Sequence, residues 1–175
     1  MNIIKYLSKI TALVLTLTML TGLLAGCASP GGKMRNMSTM EIVKDMGLGI
    51  NLGNTFESTG SWINSSSVTN YETGWGSPVI TEDIIKGYAK EGFTTLRVPV
   101  AWSNMMSGDY DINPDYLARV KQVIDWALDS DMYVIMNIHW DGGWWEKFSG
   151  KDKDECMHKY ERIWTQLTKE FKSYG

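Results

Sequence analysis

Asp131-Met132-Tyr133-Val134-Ile135-Met136-Asn137-Ile138-His139-Trp140-Asp141 is the stretch that decides the fold. Met132 to Ile138 is almost continuously apolar, the pattern of a strand covered on both faces, and it gives way at once to polar and aromatic groups. Working back from it, a helix is predicted from about Pro114 to Ser130, with Asn113 as cap and Pro114 at the tolerated first position. Leu117, Val120, Ile124, Ala127 and Leu128 share one face of that helix. Thr94-Thr95-Leu96-Arg97-Val98-Pro99-Val100 is a second strand, and the helix before it is capped by Thr81, carries Glu82 and Asp83 in its first turn and closes at Gly92. Gly47 to Leu52 is a first strand. A short helix with the capping-box spacing Ser38-Thr39-Met40-Glu41 precedes it, and a loop rich in Ser, Thr, Asn and Gly follows as far as Pro78. Beyond the opening stretch, Met157, Tyr160, Trp164, Leu167 and Phe171 form a helical stripe assigned to the core, with Cys156 a half-buried neighbour without chemistry.

Strand followed by helix, three times over, implies an α/β fold with parallel strands joined by right-handed crossovers. Reactive groups in such folds stand at the carboxyl ends of the strands. Those ends carry Asn51, Asn54 and Glu57, then Arg97 and Trp102, then Asn137, His139, Trp140, Asp141, Trp144 and Trp145. Arg97 lies inside an apolar strand, where burial of a guanidinium calls for a carboxylate partner from elsewhere in the fold.

Of the eight Trp, Trp126 and Trp164 fall in helices, and Trp62, Trp75, Trp102, Trp140, Trp144 and Trp145 fall in loops or at strand ends. Indole faces stack on the apolar C–H faces of pyranose rings, so this distribution points to a sugar-binding surface, with an aromatic-rich core as the competing account. The 17 Lys and Arg against 20 Asp and Glu, with no basic run, exclude a nucleic-acid partner. His139 and Asp141 have no companions from which a tetrahedral ligand set could be built, so neither a metal nor a cofactor is expected. There is no phosphate-cradling loop, no GxSxG elbow and no Cys/His nucleophile pair.

Lys5 and Lys9 precede an apolar run from Ile10 to Leu24, and Leu24-Ala25-Gly26-Cys27 resembles the bacterial lipobox. The expected organisation is a lipoprotein signal peptide over 1–26, a tether over 27–36 and a folded portion over 37–175. Cys27 is then lipidated and anchors a secreted bacterial protein to the outer face of a membrane. A signal cut near Ala25 or Ala28 without lipid is the competing account.

Four segments together resemble, in order and spacing, the first half of glycoside hydrolase family 5, in particular its bacterial endo-β-1,4-glucanases or cellulases. They are Met46 to Thr55, Gly74-Trp75-Gly76, Gly92 to Trp102, and Asp131 to Asp141. Trp140-Asp141-Gly142-Gly143-Trp144 resembles the branch with xyloglucan- and lichenan-active members. The resemblance implies a (β/α)8 barrel, here about its first three units, and retaining hydrolysis of β-glucans by two glutamates. It makes Arg97 the residue that holds the nucleophilic carboxylate and His139 a residue lining the subsite beside the cleaved bond. Asn54, Glu57, Trp102, Trp140 and Trp144 become substrate-binding residues, Trp140 standing where relatives often carry a second His. No Asn-Glu pair occurs, and Asp141, Glu57 and Glu72 match no catalytic position. The sequence is therefore expected to be the N-terminal portion of a cellulase precursor, inactive by itself, with an open three-stranded sheet. The alternatives are a surface lipoprotein that binds glucan without cutting it, or a half-barrel completed by another chain.

Overall fold

Ser38 Oγ accepts from the backbone N–H of Glu41 at 3.3 Å, and the Glu41 carboxylate accepts from Ser38 N–H at 2.7 Å, so both halves of the capping box open α1 (Thr39–Asp45). The structure is a computed structural model and describes residues 36–174. The expected signal peptide, Cys27 and the expected tether up to residue 35 lie outside the described residues.

Three parallel strands follow, β1 (Gly49–Asn51), β2 (Thr95–Val100) and β5 (Tyr133–Ile138), in the order β1-β2-β5. Asn51 pairs with Arg97, and Arg97 with Ile135. The period of two sends Leu96, Val98 and Val100 into the core and Arg97 to the opposite face. Helices α2 (Val68–Thr73) and α3 (Glu82–Lys90) lie between β1 and β2, α4 (Pro114–Asp129) between β2 and β5, and α5 (Lys153–Phe171) after β5. Thr81 Oγ1 caps α3 through Ile84 N–H, and Asn113 Oδ1 caps α4 through Asp115 and Tyr116 N–H. A two-stranded antiparallel hairpin, β3 (Met106–Ser107) with β4 (Asp111–Ile112), leans on α5 through Arg162, which pairs with Asp109 and Asp111.

Several expectations are corrected. The apolar run of β5 is not covered on both faces: Ile135, in register with Arg97, is 41% exposed on the face opposite the core, and β5 lies at one edge of the described sheet, as the open sheet implies. The buried face of α4 is Tyr116, Val120, Val123, Ile124 and Ala127, while Leu117 and Leu128 are half-buried beside it. On α5 the buried residues are Cys156, Ile163 and Leu167, whereas Met157 and Tyr160 are exposed because the helix meets the sheet on a rotated face. The segment expected to be loop up to Pro78 contains α2.

Candidate functional site

The carboxyl ends of the three strands bring Asn51, Arg97 and His139 together. The Arg97 guanidinium donates to Asn51 Oδ1 at 3.1 Å and lies 3.2 Å from His139 Nδ1. A guanidinium has no acceptor, so His139 Nδ1 must offer its lone pair and the ring proton sits on Nε2. The carboxylate partner expected for Arg97 is not found among the described residues. Arg97 is half-buried rather than enclosed, so water and two neutral partners meet the cost that burial would impose. Beside this row, Asn137 donates to Ile138 O while its buried Oδ1 has no partner.

The loop after β1 begins with Asn54 at φ 58°, exposed as a sugar contact would need to be. Glu57 does not face outward with it. Its carboxylate is buried and accepts from Asn54 N–H at 2.6 Å and Thr55 N–H at 2.9 Å, so it shapes the turn instead of presenting oxygens to a ligand. Trp102 is also corrected: a 3-10 turn over Trp102–Met105 swings it fully into the core, edge to face with Tyr116 at 5.8 Å.

After β5 the chain turns through Asp141 (φ 49°), Gly142 and Gly143, all in the left-handed region. Asp141 is 3% exposed and accepts from Ser103 N–H and Ser103 Oγ, both at 2.9 Å, and from Trp144 Nε1 at 2.7 Å. Burial pushes its carboxyl above the ordinary aspartate value, against the opposing pull of Trp144, Ser103 and the Lys159 charge. Lys159 donates to Ser103 Oγ and stands 4.7 Å over the Trp144 ring, and burial lowers its own pKa. Trp144 thus has its N–H and one face engaged and braces the turn.

Trp140 and Trp145 remain open, 45% and 39% exposed, and meet edge to face at 6.1 Å. Trp145 Nε1 donates to His139 O and Trp140 O, which ties the exposed pair to the end of β5. Of the residues singled out from sequence, Arg97, His139, Asn54 and Trp140 are accessible at the strand ends. Glu57 and Trp102 are buried there, and Trp144 is half-buried with its N–H and one face engaged. Asn51 was read only as a strand-end residue, although its cross-strand register with Arg97 is what sets the guanidinium. Among the described residues no group of three or more His, Cys, Asp and Glu could hold a metal, and no helix is long and apolar enough to cross a membrane.

A family model described as cellulase (glycosyl hydrolase family 5) matches residues 56–175. Endoglucanase A of Clostridium longisporum is 38% identical over 139 residues, which is 78% of this chain and 26% of that protein. Endoglucanase B of Clostridium cellulovorans is 34% identical over 173 residues, 97% of this chain and 36% of that protein. Among solved structures, a broad-specificity endoglucanase from Ruminococcus champanellensis with bound cellotriose superposes with a TM-score of 0.76 at 34% identity, over 82% of this chain and 42% of that one. The chain therefore spans about a quarter to two fifths of the length of the proteins it matches.

Proposed function

The chain belongs to glycosyl hydrolase family 5, and from that membership we propose that the protein is a retaining endo-β-1,4-glucanase acting on β-glucans. Its three parallel strand–helix units are part of the family's (β/α)8 barrel. The observation that carries the proposal is the row Asn51, Arg97 and His139 at the strand ends, beside the exposed Trp140 and Trp145. Reacting groups in such barrels stand at these ends.

Retaining hydrolysis uses one carboxyl group as acid and base and a second as nucleophile. Arg97, whose partners among the described residues are Asn51 and His139, has its charge available to hold a carboxylate ionised and in place. His139 presents Nε2–H to a sugar hydroxyl or a neighbouring oxygen. Asn54 adds an amide at the end of β1, and Trp140 offers a face for a pyranose ring. No Asn-Glu pair occurs in the 175 residues, so the role assigned to them is to hold glucan and position charge, with no bond cleavage by these residues alone.

Calorimetric titration of the chain with cellotetraose tests this, alongside reducing-end release from carboxymethylcellulose. Binding that weakens about tenfold in Trp140→Ala, with no release, is the expected result. Absence of binding would overturn the reading, and release at an enzyme-like rate would overturn the division of roles. A lipid anchor at Cys27 belongs to the same proposal. Cys27→Ser is expected to move the protein from the membrane to the soluble fraction, and a variant that stays with the membrane argues against lipid attachment.

A further inference from the structure

We propose that Trp62, on the loop after β1, is a second sugar-stacking platform, separate on the chain from the Trp140 and Trp145 pair; this rests on the β-glucan reading above. Trp62 is 72% exposed, and the way it is held argues against an incidental surface side chain. It occupies the third position of a turn closed by Ile63 N–H on Gly60 O at 3.1 Å. Its indole lies directly over Gly60: a Cβ built there would fall 2.5 Å from Trp62 Cζ2 and 2.6 Å from Cε2. The glycine is therefore a seat that fixes one face of the ring and leaves the other to solvent. Trp140 is held in the same manner over Gly143, where a Cβ would come within 2.8 Å of Trp140 Cη2. Two exposed indoles on the loops of two different strands thus share one device, a bare glycine beneath the ring.

The supporting loop is not loose. Ile63 packs so closely on Gly74 that a Cβ there would meet its Cδ1 at 2.5 Å. Trp75 Nε1 donates to Thr59 O at 3.0 Å, and the adjoining helix α2 is held by the buried Glu72 carboxylate on the half-buried Arg119. An apolar ring ordered in advance and open on one face is suited to the C–H face of a pyranose, because little rotamer freedom remains to be lost on binding.

The test titrates the full chain with cellohexaose, comparing the wild type with Trp62→Ala, Trp62→Tyr and Gly60→Ala, with sedimentation of each. The expected result is affinity lowered about three- to tenfold in Trp62→Ala, largely restored in Trp62→Tyr, and lowered in Gly60→Ala, which keeps the indole but displaces it. If the wild type binds and Trp62→Ala binds equally, this platform is overturned while the glucan reading stands. If Trp62→Ala changes self-association and leaves affinity alone, the indole is a protein contact and the proposal fails. If the wild type binds no cellohexaose, the glucan reading fails and the platform with it.

Discussion

The two loops that follow β1 and β5 do the same job, holding an exposed indole over a glycine, yet each is anchored by a buried carboxylate compensated in a different way. In the first, Glu72 is fully buried against Arg119, with Nε to Oε1 at 2.8 Å and Nη2 to Oε2 at 2.9 Å, and it also accepts from Ile80 N–H. Charge there meets charge, in the bidentate geometry that best offsets desolvation. In the second, Asp141 is held by a backbone amide, a hydroxyl and an indole, and Lys159 reaches it only through Ser103. Burial, the largest cause, pushes the Asp141 carboxyl above the ordinary aspartate value despite these dipoles. The first anchor depends on one charged partner, and the second on a backbone amide, a hydroxyl and an indole N–H.

The largest effect is expected where the contrast is sharpest. Glu72→Ala leaves the Arg119 charge beside a buried cavity and should cost about 3–5 kcal/mol in urea unfolding; a loss below 1 kcal/mol would show that the pair is not an anchor. Asp141→Ala strands the Ser103 amide and the Trp144 indole N–H and should cost less, about 2 kcal/mol. Gly143→Ala meets both the Trp140 ring and a φ of 72°, at about 1–2 kcal/mol with a shift in tryptophan emission. The smallest effect is on pH dependence at the second anchor. Because Asp141 binds its proton more tightly in the folded chain, stability falls as pH rises from the ordinary aspartate range through the raised value, and below that range both states are protonated. Unfolding free energy measured from pH ~3.5 upward should therefore decline in the wild type relative to Asp141→Asn. Parallel curves would show that burial does not raise the Asp141 carboxyl.

What could be read in the sequence was local or periodic. Ser38 with Glu41, Thr81, and Asn113 with Pro114 place helix starts through contacts within a few residues, and the alternation of Leu96, Val98 and Val100 places β2. Helix α2 escaped because it depends on Glu72 meeting Arg119 and on Tyr71 donating to Asn104 O, contacts 47 and 33 residues apart. The hairpin β3–β4 escaped for the same reason, since Gln166 of α5 holds Ile112 N–H and Tyr110 O. At the site, residue type was legible and direction was not. Trp102 and Trp140 read alike as aromatic residues at strand ends, but a 3-10 turn buries the first and a glycine seat exposes the second. Glu57 read as a ligand group, yet two backbone amides of its own turn claim its oxygens.

The central place of β2 has a consequence for how the chain reaches this state. Asn51 and Arg97 are 46 residues apart, and Arg97 and His139 are 42 apart, so neither pairing of the sheet can close as a hairpin. Each must bring its ends together across a long crossover before any ladder bond repays the entropy. Helices α4 and α5, 16 and 19 residues long, face no such delay. In refolding, ellipticity from these helices is expected to rise before tryptophan fluorescence reports burial of the core, where Trp102 lies against Tyr116. The row of Asn51, Arg97 and His139 is then among the last parts of the molecule to be assembled.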